Sequence, residues 1–274
     1  MLNTKTLNIV NKDGLVYITF PNMEKVGVTA AFTTRLGGVS CGQYASMNMS
    51  FTNGDDPENV RQNYNILFSS LGLDPEKAVI SHQTHTDNIR IVTKEDIGKG
   101  IIRERDYKDV DGLVTNIPGV ALVTQFADCV PLLFFDPKKQ VIAASHAGWR
   151  GTVLEIGLKT VKIMRELFGS DPADILAAIG PSIGKCCYEV DDPVALEIEK
   201  ISYLKKEKLL FSKGGGKYQL DLKETNRQIL INAGIKDSNI CVSDLCTCCH
   251  SEIFHSHRAT AGKRGNLAAV IALK

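Results

Sequence analysis

Apolar residues along this chain fall mostly in short runs and only occasionally at helical spacing. "LVYITF" and "VTAAFTT" combine β-branched and aromatic residues and predict strands over 15–20 and 28–34. The segment that follows, "RLGGVSCGQYASMNMSFTNGDD", is rich in Gly, Ser and Asn and predicts a long ordered loop of the kind that often carries function. The period then becomes helical in "DDPENVRQNYNILFSSLGL". Val60, Tyr64, Leu67 and Leu71 fall on one face, Asp56 can cap, Pro57 suits the first turn and Gly72 supplies the stop. Further strands are predicted in "AVISHQTH", "NIRIVT", "GLVTN", "VALVTQFADCV", "LLFFD" and "QVIAASHAG". A second helix is expected over 152–168, with Leu154, Leu158, Val161, Met164 and Phe168 as its apolar stripe. Beyond "DILAAIGPSIG" the pattern predicts a short helix over 193–200, a hairpin across "SKGGGKYQ", a helix over 222–233, and strands "NICVSD" and "LAAVIAL".

Strands outnumber helices and many are adjacent in sequence, so the pattern fits an α+β fold with mixed sheets. A doubly wound dinucleotide-binding sheet fits less well, and the G-x-G-x-x-G it requires after a first strand is missing. No repeat or linker divides the chain, and residues 1–274 read as one domain. Lys and Arg number 32 against 31 Asp and Glu, so no net field exists to gather nucleic acid or an anionic membrane, and a small-molecule partner is expected. No apolar stretch reaches about 18 residues, and the first residues, "MLNTKTLNIVNKDG", lack a basic region before an apolar one; a cytoplasmic location is the expectation. Eight cysteines in a chain of this length read as free thiols, most of them buried.

Candidate chemistry concentrates at strand ends. Strand alternation puts Ala127 and Cys129 on one face and Phe126 and Asp128 on the other, until Pro131 interrupts the ladder. By the same alternation Ile142, Ala144 and His146 share a face that Gly148 terminates. His82 and His85 in "SHQTHTDN" would point to opposite faces, so at most one of them joins a given site. Taken alone, Cys129 reads as a buried structural cysteine and His146 as a satisfied one, although Asp128 must be solvated, paired or functional. Arg35 and Arg150, each followed closely by glycine, offer forks for phosphate or carboxylate, or are surface arginines in turns. Cys246, Cys248, Cys249, His250, His255 and His257 have the composition of a zinc site, but are read as lacking the C-x-x-C spacing of a knuckle and so chiefly as buried thiols and surface histidines, with a second metal left open. Adjacent Cys186 and Cys187 are read as packing and loop geometry.

In order and spacing, "FTTRLGGVSCGQYASMNMS", "HQTH", "DGLVTN", "ADCVPLLFFD", "SHAGWRGT", "GPSIGKCCYEV" and "DLCT" resemble the bacterial YfiH/YlmD proteins, a laccase-domain or polyphenol oxidoreductase family described as purine nucleoside phosphorylases. The resemblance implies mixed β-sandwich layers flanked by helices, similar to the deamidase domain of cytotoxic necrotizing factor toxins. It implies one metal, zinc with copper as the alternative, on His85, Cys129 and His146, leaving His82 outside. It also implies cleavage of adenosine, inosine and methylthioadenosine by inorganic phosphate to free base and ribose 1-phosphate, with adenosine deamination as a side activity. Within that scheme Arg35, and secondarily Arg150, would hold phosphate, Gln83 would contact substrate, and Asp128 would act near base or ribose. Six histidines cannot assemble a multicopper oxidase, which needs close to a dozen ligands. The resemblance implies a Gly-Arg pair before the last strand, as in many members of the family, whereas here Gly265 precedes Asn266 and the nearest arginine is Arg264. Two other readings stand beside this one: a Cys-His hydrolase or deamidase using Cys129 and His146, and a non-catalytic metal- or partner-binding protein.

Overall fold

The computed structural model describes residues 3–24 and 26–274. The chain forms β1 (Asn8–Lys12), β2 (Leu15–Thr19), β3 (Val28–Thr33), α1 (Pro57–Leu71), β4 (Ala78–Ile80), β5 (Ile89–Ile91), β6 (Gly112–Thr115) and β7 (Ala121–Phe126). It continues through β8 (Val130–Asp136), β9 (Val141–Ala147), α2 (Trp149–Val153), α3 (Ile156–Phe168) and β10 (Leu176–Ile179). The last third holds β11 (Glu189–Asp191), α4 (Asp192–Glu199), β12 (Leu210–Gly214), β13 (Lys217–Leu220), α5 (Leu222–Asn232), β14 (Ile240–Val242), α6 (His257–Thr260) and β15 (Leu267–Leu273).

Two six-stranded mixed sheets stack face to face, in the orders β1-β2-β3-β15-β7-β4 and β14-β10-β8-β9-β6-β5. Ile18, Phe32, Leu122 and Ile271 of the first meet Leu113, Leu133, Phe135 and Ile142 of the second in the central core. The opposite face of the first sheet, with Ala31, Val123 and Val270, packs on Val60, Tyr64 and Phe68 of α1. That of the second, with Leu132, Phe134 and Ala143, packs on Val161 and Met164 of α3 and Leu230 of α5. The result is a helix, sheet, sheet, helix sandwich, with β11, β13 and β12 as a separate small sheet. Strands buried on both faces explain why "LLFFD" and "LAAVIAL" read as unbroken apolar runs.

Four expectations need correction. Residues 81–88 are not a strand: after Ile80 the chain leaves its sheet, and His85 takes the left-handed backbone at φ 66°. The strand through "VALVTQFADCV" stops at Phe126, and Asp128 at φ 87° makes the break that had been expected at Pro131. Pro131 sits inside β8, and its carbonyl accepts from Gly180, just past the end of β10, so its missing N–H faces the point where that neighbour runs out. The helix expected from 152 begins at Trp149 and breaks at Glu155, whose φ of 58° separates α2 from α3 and leaves Leu154 exposed. Most cysteines are not buried either: all eight are free, and Cys246 alone is buried. The edge strand β1 was not anticipated, because its exposed "NIVNK" carries little apolar signal.

Phe135→Ala, in the fully buried central core, should cost about 3–5 kcal/mol in denaturant unfolding. Leu167→Ala, on the exposed side of α3, should fall within about 0.5 kcal/mol of the parent. Equal costs at the two positions would contradict the layer assignment.

Candidate metal centre

Three segments converge where the chain passes between the two sheets. His85 lies on the crossing from β4 in the first sheet to β5 in the second, Cys129 on the turn from β7 to β8, and His146 near the end of β9 opposite Pro131. Asp111, just before β6 and fully buried, ties them together. Its Oδ1 accepts from the backbone N–H of His85 at 3.1 Å and lies 2.8 Å from His146 Nδ1; its Oδ2 accepts from the N–H groups of Thr84 and Thr86 and from the Thr86 hydroxyl. Burial opposes ionisation of this carboxyl, but the His146 ring and the backbone donors outweigh it and hold Asp111 below the usual carboxylate range.

With Nδ1 engaged by Asp111, His146 turns Nε2 toward the other two groups. One ligand atom each from His85, Cys129 and His146 lies within 4.8 Å of the others. His85 Nε2 is 3.8 Å from Cys129 Sγ, and the two imidazoles meet edge to face with centroids 4.9 Å apart. Desolvation of the half-buried Cys129 raises its thiol, yet the charge and hydrogen bond of His146, with His85 adding to them, bring it down to about 6. Burial likewise lowers His146, but Cys129 and Asp111 together lift it to about 9. A thiolate is therefore prepared at neutral pH beside two ring nitrogens. Gly148 completes the cradle: a Cβ there would stand 2.9 Å from His85 Cδ2 and 3.0 Å from Cys129 Sγ. Two imidazoles, one thiolate, a carboxylate behind one imidazole and room for a further ligand fit a metal ion of the zinc type.

Two cavities meet at this cluster. One, of about 180 Å³, is lined by Thr52, Gln83, Arg105, Gln125, Arg264 and Asn266; the other, of about 330 Å³, by Ile183, Tyr188, His257 and Arg258. Both are bordered by His85, Ala127, Cys129 and Arg264. Gln83 reaches the first cavity with its amide already engaged, Nε2 to Gln125 O at 2.7 Å and Oε1 to Gln125 N at 2.7 Å. His82 also borders that cavity, but its Nδ1 accepts from Asp109 N and it stays outside the ligand cluster. Asp128 borders the second cavity, and both its oxygens accept hydrogen bonds, from Thr247, Ser256 and Arg258 N.

Arg35 lines neither cavity, contrary to expectation. Its Nε and Nη1 donate to the carbonyls of Ala45 and Ser251, so its fork braces the long loop. Arg150 is exposed, lies 4.3 Å over the ring of Trp149 and lines neither cavity. Of the C-terminal histidines, His255 is buried and pushed down to about 3 by that burial, with Arg35 and Arg264 adding to it, while exposed His257 starts α6; the pair spaced like a copper-binding H-x-H shares no ligand cluster among the described residues. Sequence reasoning missed Asp111, whose signal was an acidic residue directly before the apolar run "GLVT". It noted Arg264 only as the arginine nearest the family position and gave no role to Arg105, and its reading that the C-terminal cysteines lack C-x-x-C spacing is wrong, since Cys246 and Cys249 stand in it.

A two-sheet sandwich with a His, Cys, His cluster at the crossing between its sheets defines the class, a metal-ready site set in a polar pocket. The chain belongs to the family described as multi-copper polyphenol oxidoreductase laccase, whose profile matches residues 29–274. A Bacillus subtilis (strain 168) relative named purine nucleoside phosphorylase YlmD is 40% identical over 257 residues, covering 92% of this chain and 91% of that protein. A Deinococcus radiodurans relative named purine nucleoside phosphorylase is 38% identical over 264 residues, 95% of this chain and 94% of its own. Among solved structures, YlmD from Geobacillus stearothermophilus superposes with a TM-score of 0.90 at 37% identity, over 98% of this chain and 99% of that one. Bacillus licheniformis hypothetical protein YfiH superposes at 0.91 and 40% identity, over 96% and 98%.

Alkylation of Cys129 in metal-stripped protein should rise with pH through an inflection near 6, because the thiolate persists down to that value. His146→Gln should move the inflection upward toward the ordinary thiol range, and an inflection near 9 in the parent protein would contradict the pairing. Gly148→Ala should weaken zinc binding on the order of tenfold in a chelator competition, by displacing His85 or Cys129.

Proposed function

We propose that this protein is a purine nucleoside phosphorylase whose centre is zinc on His85, Cys129 and His146. The observation that carries the reading is Arg264. Its side chain lines the cavity with Cys129, its Nε is buried without a hydrogen-bond partner, and its Nη1 donates to Gly265 O and Asn266 Oδ1. A buried guanidinium N–H left without a partner, on a side chain that lines a polar cavity, calls for an anionic oxygen. The relatives named purine nucleoside phosphorylase support the same conclusion.

In this reading Arg264, with Arg105 across the same cavity, holds phosphate, and the pocket walled by Ile183 and Tyr188 takes the purine ring. A phosphate oxygen bonds to C1′ of the ribose as the bond from C1′ to the base nitrogen breaks. The electron pair of that bond leaves with the purine, which takes up a proton from solvent. The products are free base and ribose 1-phosphate. Charge separates along this path, so fixed cations and dipoles lining the cavity supply much of the acceleration. Zinc, when bound, supplies a Lewis acid beside the reacting nucleoside. Asp128 is a positioning residue here: its oxygens are occupied by three donors, and it fixes the turn that carries Cys129. Adenosine, inosine and methylthioadenosine are the substrates proposed, with adenosine deamination as a secondary reaction.

One observation favours the hydrolase reading. A thiol held near 6, paired with an imidazole that a buried carboxylate supports, has the arrangement of an activated cysteine nucleophile. The same assay separates the two. Incubated with each nucleoside, the zinc-loaded protein should release base and ribose 1-phosphate only when phosphate is present, and chelation should abolish the release. Base release without phosphate, undiminished in metal-free protein, would contradict the zinc phosphorylase; no base release under any condition would overturn it and favour the cysteine hydrolase or deamidase, which acts on other bonds. Arg264→Gln should raise the KM for phosphate about tenfold or more, the scale of one charged hydrogen bond, while leaving zinc content unchanged.

A further inference from the structure

Away from this site a second cluster brings together Cys186, Cys187, Cys246 and Cys249, whose four sulfurs lie within 4.8 Å of one another. Cys249 Sγ is 3.4 Å from both Cys186 Sγ and Cys187 Sγ, and all four cysteines are free. Four thiolates around one zinc at about 2.3 Å form a tetrahedron with edges of about 3.8 Å, within the span these sulfurs already occupy. Cys246 and Cys249 belong to the C-x-x-C run "CTCC", and Cys246 Sγ accepts the N–H of Gly184 at 3.1 Å and of Cys249 at 3.5 Å, as the turn of a zinc knuckle requires. Gly184 admits this approach, because a Cβ there would stand 3.2 Å from Cys186 Sγ and 3.2 Å from Cys246 Cβ. Nearly buried Lys223 donates to Leu245 O at 2.7 Å, and its charge acts on Cys186 and Cys246, which offsets the negative charge of a tetrathiolate.

We infer that these four cysteines bind a zinc ion of their own, a structural centre that clamps the 181–188 loop to the 245–258 loop and through them secures the turn bearing Cys129. Binding displaces the remaining thiol protons to solvent and changes no oxidation state. The clamp reaches the first site by short steps. Thr247, between the knuckle cysteines, donates to Asp128 Oδ1 at 2.6 Å; Ile183 N donates to Asp128 O at 2.9 Å; Arg258 donates its backbone N–H to Asp128 Oδ2 and its Nη1 to Cys187 O. Both loops therefore hold the residue next to Cys129. The inference does not depend on the reaction proposed above, since the two ligand sets share no residue.

The test is zinc stoichiometry on the full chain, stripped of metal, kept reduced, titrated with zinc and dialysed. Two zinc ions per chain are expected in the parent, and one each in Cys129→Ala and in the double variant Cys186→Ser with Cys249→Ser. Cobalt loaded into Cys129→Ala should give the intense thiolate charge-transfer and tetrahedral ligand-field bands of a four-sulfur site, a readout that stands even if the double variant fails to fold. A single zinc in the parent that vanishes in Cys129→Ala would overturn the inference. So would peptide mapping of the native, non-reduced protein that finds the four cysteines joined as disulfides.

Discussion

The site depends on a carboxylate that has no access to water. Asp111 is fully buried, and a buried charge costs several kcal/mol unless donors surround it. It is satisfied by the His146 ring, three consecutive backbone N–H groups over 84–86 and the Thr86 hydroxyl. Those contacts fix both the sheet-to-sheet crossing that carries His85 and the orientation of the ring at the end of β9. Cys129 then needs only a turn that faces them, and the left-handed Asp128, anchored by three donors, supplies it. The His, Cys, His cluster is thus a consequence of where the chain changes sheets.

That placement also explains why the layers could be read from the chain while the connections could not. Runs such as "LLFFD" and "LAAVIAL" are apolar on both faces because each sheet lies between the other sheet and a helix, and such runs are conspicuous in sequence. The capped helix α1 was equally legible, with Asp56 accepting from Glu58 N and Gly72 left-handed at its end. Positive-φ breaks at His85, Asp128 and Glu155 were not, because no residue type announces them as glycine would. Each turned a segment that looks continuous into a crossing or a kink.

The chemistry was legible unevenly for a related reason. Alternation correctly set His146 on the inward face with Ile142 and Ala144, yet by pattern alone Cys129 and His146 were ordinary strand-end residues, and His82 could not be told from His85. Only the resemblance to a family grouped the three. Arg35 drew notice as a fork near glycines, but a guanidinium that donates to carbonyls of two loops looks the same in sequence as one that waits for an anion. Arg264 is proposed for that role because of its unpartnered buried Nε, which only the folded chain reveals. The four clustered cysteines come from loops some sixty residues apart, and the C-x-x-C spacing inside a denser Cys and His run went unread.

The central claim, that Asp111 assembles the metal centre, is tested most directly by the zinc affinity of Asp111→Asn against the parent protein in a chelator competition, with folding checked by circular dichroism. The account predicts a folded variant that binds zinc at the His85, Cys129, His146 centre about 10–100-fold more weakly, since the ring of His146 and the turn of His85 both lose their anchor. Parent-like affinity at that centre in the folded variant would contradict it.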